Sequence, residues 1–103
     1  MTDVNWLARA SEATLHVRDF INGKYLDSVG KPIEKRSARD GQLLYQFGEG
    51  SSAAVDLAIA SARKSFDDGR WSDLPNHQRK SVLMKLADLI EAKGETFALY
   101  ECM

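Results

Sequence analysis

The sequence predicts an α+β chain with strands and helices in separate stretches, and three observations carry that expectation. Apolar residues recur at helical spacing through two long runs between Ser51 and Met103. Asn22-Gly23 stands between β-favouring residues, a strong hairpin signal because a type I′ turn needs positive φ at both central positions. Asp40-Gly41 marks a further turn just ahead of the strand-like run Leu43-Leu44-Tyr45-Gln46-Phe47. Strands followed by helices, without alternation, read as α+β.

Taken in order, Val4 to about Ala13 has helical character, with Val4, Leu7 and Ala8 on one face and Asp3 as its expected cap. Trp6 is expected to pack into a local core, with a contact to another chain as the alternative. Val17 to Ile21 and Lys24 to Leu26 flank the Asn22-Gly23 turn. After Gly30 and Pro32, the run Ile33-Glu34-Lys35-Arg36 forms the next strand and pairs with Leu43 to Phe47.

Ser51 and Ser52 can cap the helix that follows. Within it Val55, Ala58, Ile59, Ala62 and Phe66 make one apolar face, and Ala53, Leu57 and Ala60 a weaker second stripe. Gly69 can end this helix through a left-handed residue. Pro75 suits the first position of the next, which is expected from about Asn76 to Lys93. There Val82, Leu83, Leu86, Ala87, Leu89 and Ile90 cover an arc of about 160°, wider than the ordinary ~100° stripe. Met84 is the lone apolar residue on the opposite side. Both helices read as built to be covered on two sides.

The chain has 103 residues, enough for one small domain at most. Hydrophobic content of 44% and charged content of 28% exclude a disordered chain. A formal net charge of -1 gives no general attraction to nucleic acid or anionic membrane. The densest basic group (Lys31, Lys35, Arg36 and Arg39) is diluted by Glu34 and Asp40 and reads as a solvated hairpin surface. No apolar run approaches membrane-spanning length, and Met1-Thr2-Asp3-Val4 lacks the pattern of a secretory signal. The expected location is cytoplasmic. Residues 1–16 read as an N-terminal helical extension and residues 17–103 as a hairpin-plus-helices unit.

No catalytic set is expected. His16 and His77 lie far apart, and Cys102 is the single cysteine. A reactive thiol needs a base or a cationic setting, whereas Cys102 follows Glu101 and ends a helical run, where the dipole disfavours a thiolate. It reads as a buried structural cysteine. His77, in the first turn of its helix, reads as a neutral, mostly exposed side chain. Gly48-Glu49-Gly50 lacks the third glycine of a dinucleotide fingerprint and reads as a strand-to-helix connection.

Several segments together carry a family resemblance. Phe20-Ile21-Asn22-Gly23-Lys24-Tyr25 and the later Asp40-Gly41 turn resemble the opening hairpins of the aldehyde dehydrogenase superfamily. The helix Val55 to Phe66, the linker Trp71-Ser72-Asp73-Leu74-Pro75, and Leu86-Ala87-Asp88-Leu89-Ile90-Glu91 with Leu99-Tyr100-Glu101 are similar to the segments that follow in that family. The resemblance runs from about Phe20 to Met103. The N-terminal extension and Asp68-Gly69-Arg70-Trp71 most resemble the branch acting on amino-aldehydes, including γ-glutamyl-γ-aminobutyraldehyde and betaine aldehyde. Ser37-Ala38 replaces the family's Asn-Pro, and Ala54 replaces an acidic residue, removing half of a capping box.

The resemblance implies the N-terminal part of an α/β aldehyde dehydrogenase fold, packed around a nucleotide-binding domain, in an enzyme several-fold longer. It implies NAD or NADP as cofactor of the full-length enzyme and none for this chain by itself. It also implies oxidation of an aldehyde to an acid through a cysteine thiolate, hydride transfer and a glutamate-activated water. Catalytic and cofactor-binding residues are expected to be absent here. Some members bind a monovalent cation through backbone carbonyls, and those positions fall at Lys35 and Arg36. Expected partners are the remainder of the enzyme or another copy of the chain, giving a homo-oligomer without nucleic acid or membrane. The alternative function is a stand-alone protein–protein interaction or oligomerisation module.

Overall fold

A computed structural model describes residues 3–103. Residues 1 and 2, the start of the expected extension, lie outside the described residues. The order is α1 (Trp6–Glu12), β1 (Asp19–Ile21), β2 (Lys24–Leu26), β3 (Pro32–Arg36), β4 (Leu43–Gly48), α2 (Ser52–Asp67), α3 (Asn76–Ala92) and α4 (Gly94–Cys102).

The strands form two separate two-stranded antiparallel sheets, β1-β2 and β3-β4. Asn22 and Gly23 take φ of 52° and 75°, the left-handed pair that the first turn needs. Their register sets Phe20 opposite Tyr25 with ring centroids 5.1 Å apart. In the second hairpin Ser37 is buried and organises the turn. Its N–H donates to the Gln42 carbonyl (2.8 Å), and its own carbonyl accepts from the Gly41 N–H (2.9 Å). Its Oγ accepts from the Arg39 N–H (3.2 Å). Ser37 thus closes the turn through its hydroxyl and its backbone. The pairing shifts between Lys35↔Tyr45 and Arg36↔Leu43, which leaves Leu44 as the extra residue of a bulge.

Helix boundaries follow local chemistry. Asn5 caps α1, its Oδ1 accepting from the Ala8 N–H (3.0 Å), and so displaces Asp3 from the expected role. Ser51 caps α2 by accepting from the Ala54 N–H (3.1 Å); Ala54 has no acceptor to return the contact. Gly69 stops α2 at φ 70°, and a Cβ there would collide with the Asp73 carboxylate. Pro75 sits one position earlier than expected, as the N-cap of α3, and its carbonyl accepts from the Gln78 and Arg79 N–H groups (3.0 and 3.2 Å). Lys93 leaves helical geometry at φ -111° and separates α3 from α4.

The radius of gyration is 18.1 Å, against about 13 Å for a compact chain of this length. The molecule is a slab of 46 × 43 × 18 Å. Its accessible surface of 8629 Å² exceeds by about 2,800 Å² the ~5,800 Å² expected of a compact chain of this mass. Leu99 is the one buried apolar side chain among the described residues.

The β1-β2 hairpin rests on α2. The residues of α2 that lose solvent are Ala54, Ala58, Ser61 and Ser65, a stripe of small side chains over which a hairpin can approach closely. Of the expected face, Ala58 loses solvent, whereas Val55, Ile59, Ala62 and Phe66 stay exposed, Phe66 at 68%. The periodicity located an apolar stripe correctly, but its large members lie away from the contact made here. Every residue from Lys80 to Glu95 is exposed, including Leu83, Leu86, Leu89 and Ile90 on the broad arc of α3.

Candidate functional site

Helices α1 and α4, far apart in sequence, form the one long-range helical contact with an ion pair among the described residues. Arg9 Nη1 donates to Glu95 Oε2 at 2.7 Å. Between them opens an apolar-lined cleft of about 300 Å³ bounded by Trp6, Leu7, Ala10, Arg39, Leu99 and Cys102. Trp6 faces this cleft with the Arg9 guanidinium 5.3 Å from its ring, yet remains 42% exposed. It lines the cleft together with Leu99, the buried apolar side chain, and is only partly covered there.

Cys102 is a free and exposed thiol, which corrects the expected buried cysteine. α1 faces the end of α4 only across the open cleft, which leaves the thiol accessible. The side chain stands at the end of α4 beside Glu101 and lines a cleft that is mostly apolar, with Arg39 as its charged member.

Lys35 and Arg36 fall at the bulge in the β3-β4 ladder. Both side chains are exposed; Arg36 donates to the Glu34 carboxylate (2.9 Å) and to the Gly41 carbonyl (3.3 Å). No group of three or more His, Cys, Asp or Glu residues among the described residues is placed to hold a metal. His16 and His77 are both exposed and lie in different parts of the chain.

One electrostatic feature escaped the sequence reading. Across Gly69, the Arg70 side chain donates through Nε to Asp68 Oδ1 (2.9 Å), and the Arg70 N–H donates to the same oxygen (3.1 Å). These bonds stabilise the carboxylate and lower the Asp68 pKa from 3.8 to about 2. The same pairing raises that of Arg70. The pair clips the linker between α2 and α3. An Asp-Gly-Arg triplet at a helix end carries that signal, since glycine brings its neighbours round to face each other.

A dinucleotide needs a parallel strand–turn–helix unit whose glycines let the pyrophosphate approach a helix N-terminus. Here the strand before α2 belongs to an antiparallel hairpin, and the α2 cap already uses Ser51 on its own backbone. Gly48 and Gly30 serve a different purpose. A Cβ on Gly48 would meet the Ser28 carbonyl and one on Gly30 the Glu49 carbonyl, so both mark the crossing of two chain segments. These residues do not fit a nicotinamide dinucleotide. No helix of the described residues is long and apolar enough to cross a membrane.

The described residues form an open α+β slab whose helix flanks are exposed. The family model described as "Aldehyde dehydrogenase family" matches residues 25–103, and the chain belongs to that family. It is 36% identical over 99 residues to an aminoacetaldehyde dehydrogenase of Pseudomonas aeruginosa, covering 95% of this chain and 20% of the relative. It superposes on a γ-glutamyl-γ-aminobutyraldehyde dehydrogenase from Burkholderia cenocepacia with a TM-score of 0.86 and 31% identity, over 92% of this chain and 20% of that one. An indole-3-acetaldehyde dehydrogenase variant of P. syringae, in complex with NAD+ and IAA, gives a TM-score of 0.85 at 34% identity, over 92% and 19%. The chain spans a fifth or less of the length of the curated relatives it matches. Its fold is therefore a fragment of the aldehyde dehydrogenase fold, as the resemblance implied.

Proposed function

We propose that this chain is the N-terminal scaffold of an NAD(P)-dependent aldehyde dehydrogenase and supplies no reacting group of its own. The observation that carries the reading is α3, whose broad apolar arc stands in solvent while the chain matches only a fifth of relatives that are whole enzymes. In the complete subunit that arc packs against the nucleotide-binding body, which holds NAD or NADP, and residues 17–103 form part of that domain with residues 1–16 as an extension. Relatives named for aminoacetaldehyde and γ-glutamyl-γ-aminobutyraldehyde support an amino-aldehyde as substrate. The complete enzyme is a cytoplasmic homo-oligomer on this reading, and the exposed free thiol of Cys102 suits a reducing compartment. The bulge at Lys35 and Arg36 supports a monovalent cation site at their carbonyls, since a disrupted ladder leaves backbone oxygens for other partners.

The test is direct. Purified chain incubated with NAD+ and aminoacetaldehyde should form no NADH. Adding an N-terminally truncated Pseudomonas aeruginosa aminoacetaldehyde dehydrogenase should restore turnover through non-covalent assembly. NADH formation by the chain without that addition would overturn the scaffold reading. A second reading, a stand-alone interaction module, draws on the same exposed arc of α3.

A further inference from the structure

Three steps of the chain place a glycine after an asparagine or an aspartate: Asn22-Gly23, Asp40-Gly41 and Asp68-Gly69. All three glycines have positive φ, but their hydrogen bonding differs. The Gly41 N–H donates to the Ser37 carbonyl (2.9 Å), and Asp40 Oδ1 accepts from the Gln42 N–H (3.0 Å). The Gly69 N–H donates to the Phe66 carbonyl (3.3 Å), and Asp68 Oδ1 accepts from the Arg70 N–H and Nε. At Asn22-Gly23 neither the glycine N–H nor the asparagine side chain makes a hydrogen bond among the described residues. The other two asparagines precede bulky residues and are held, Asn5 Oδ1 by the Ala8 N–H and Asn76 Oδ1 by Arg79.

We infer that Asn22 is a site of spontaneous deamidation, presented by its turn to attack from the Gly23 backbone nitrogen. That nitrogen bonds to the Asn22 side-chain carbonyl carbon and closes a succinimide ring. The N–H proton passes through solvent to the departing side-chain nitrogen, which leaves as ammonia. Water then opens the ring at either carbonyl, giving aspartate or isoaspartate, so one water enters for each ammonia lost. Both residues are exposed, and nothing lies within 4 Å of where a Gly23 Cβ would stand. The flanking strands have three residues each, and so short a hairpin opens locally at little cost. Isoaspartate lengthens the main chain of a two-residue loop whose geometry sets the pairing, so it should loosen Phe20 from Tyr25 where β1 rests on α2. The inference does not depend on the scaffold reading, because the turn is closed by Ile21 and Lys24 of the same hairpin.

The experiment ages the full chain at neutral pH, in buffer and in urea. Mass-spectrometric peptide mapping locates each change, and methyl transfer from S-adenosylmethionine by an L-isoaspartyl methyltransferase counts isoaspartate. Folding should slow Asn22 by a factor at least about tenfold smaller than it slows Asp40 or Asp68, whose reactions wait for their hydrogen bonds to open. Arg70→Ala should speed isomerisation at Asp68 and leave Asn22 unchanged. In the aged isoaspartyl chain, amide exchange across β1 and β2 should accelerate, whereas Asn22→Asp, with the charge but the normal backbone, should exchange like fresh chain. Comparable slowing at all three steps, or hairpin exchange indifferent to isoaspartate, would overturn the inference.

Discussion

Arg9 and Glu95 meet at 2.7 Å and tie the first helix of the chain to the last. Among the described residues the pair bridges the one place where two helices meet at a buried apolar side chain, Leu99. Both partners remain substantially exposed, so the bond holds geometry more than it adds stability. Arg9→Ala should cost no more than about 1 kcal/mol while freeing Trp6 from its cationic neighbour. Fluorescence of Trp6 in a Trp71→Phe background should report greater solvent exposure, with little change in denaturant midpoint.

Leu99→Ala should behave differently. Removing a buried leucine costs about 2–3 kcal/mol, so amide hydrogen exchange in α1 and α4 should accelerate by one to two orders of magnitude. Leu57→Ala, at a half-exposed position on α2, should cost less than about 1 kcal/mol. Equal effects would show that burial in this slab does not follow its geometry.

The Asp68–Arg70 clip makes a prediction about pH. A carboxyl lowered to about 2 in the folded chain contributes stability above its unfolded value near 3.8, and that contribution fades as pH falls from there through about 2. Carboxyl-carbon NMR should find Asp68 titrating near the lower value, and Arg70→Ala should move it upward. Salt should weaken the shift, because the pair is exposed.

Gly30 and Gly48 should resist substitution for a reason of space. Gly30→Ala drives its methyl into the Glu49 carbonyl and should destabilise the β3-β4 hairpin by about 1–3 kcal/mol. Gly50→Ala meets nothing within 4 Å and serves as the neutral comparison. Backbone chemical shifts of Lys31 and Glu49, which share a 2.8 Å hydrogen bond, should move only in the first.

The elements readable from sequence were those written in local chemistry. Asn22-Gly23 forces one backbone geometry, Ser51 sits three residues from the N–H it accepts, and Gly69 ends a helix wherever a left-handed residue is needed. What local pattern could not decide was which stripe meets which neighbour. In α2, Val55 and Phe66 carry the periodicity, yet the hairpin lies over Ala54 and Ser61 because small side chains permit approach. Arg9 and Glu95 stand 86 positions apart, and no helical or strand period links them. Cys102 is exposed because burial depends on what packs over a side chain, and the cleft beside it is open. For the same reason the exposure of α3 could be anticipated: an arc that wide demands more cover than a chain of this length can provide.

A slab 18 Å thick is less than two side-chain-clad helices deep, at about 10–12 Å each, and its contacts between α1 and α4 and between α2 and β1 are separate patches rather than one shared interior. Heating this chain should therefore melt its hairpins and helices at separate temperatures, without the calorimetric cooperativity that a shared core enforces.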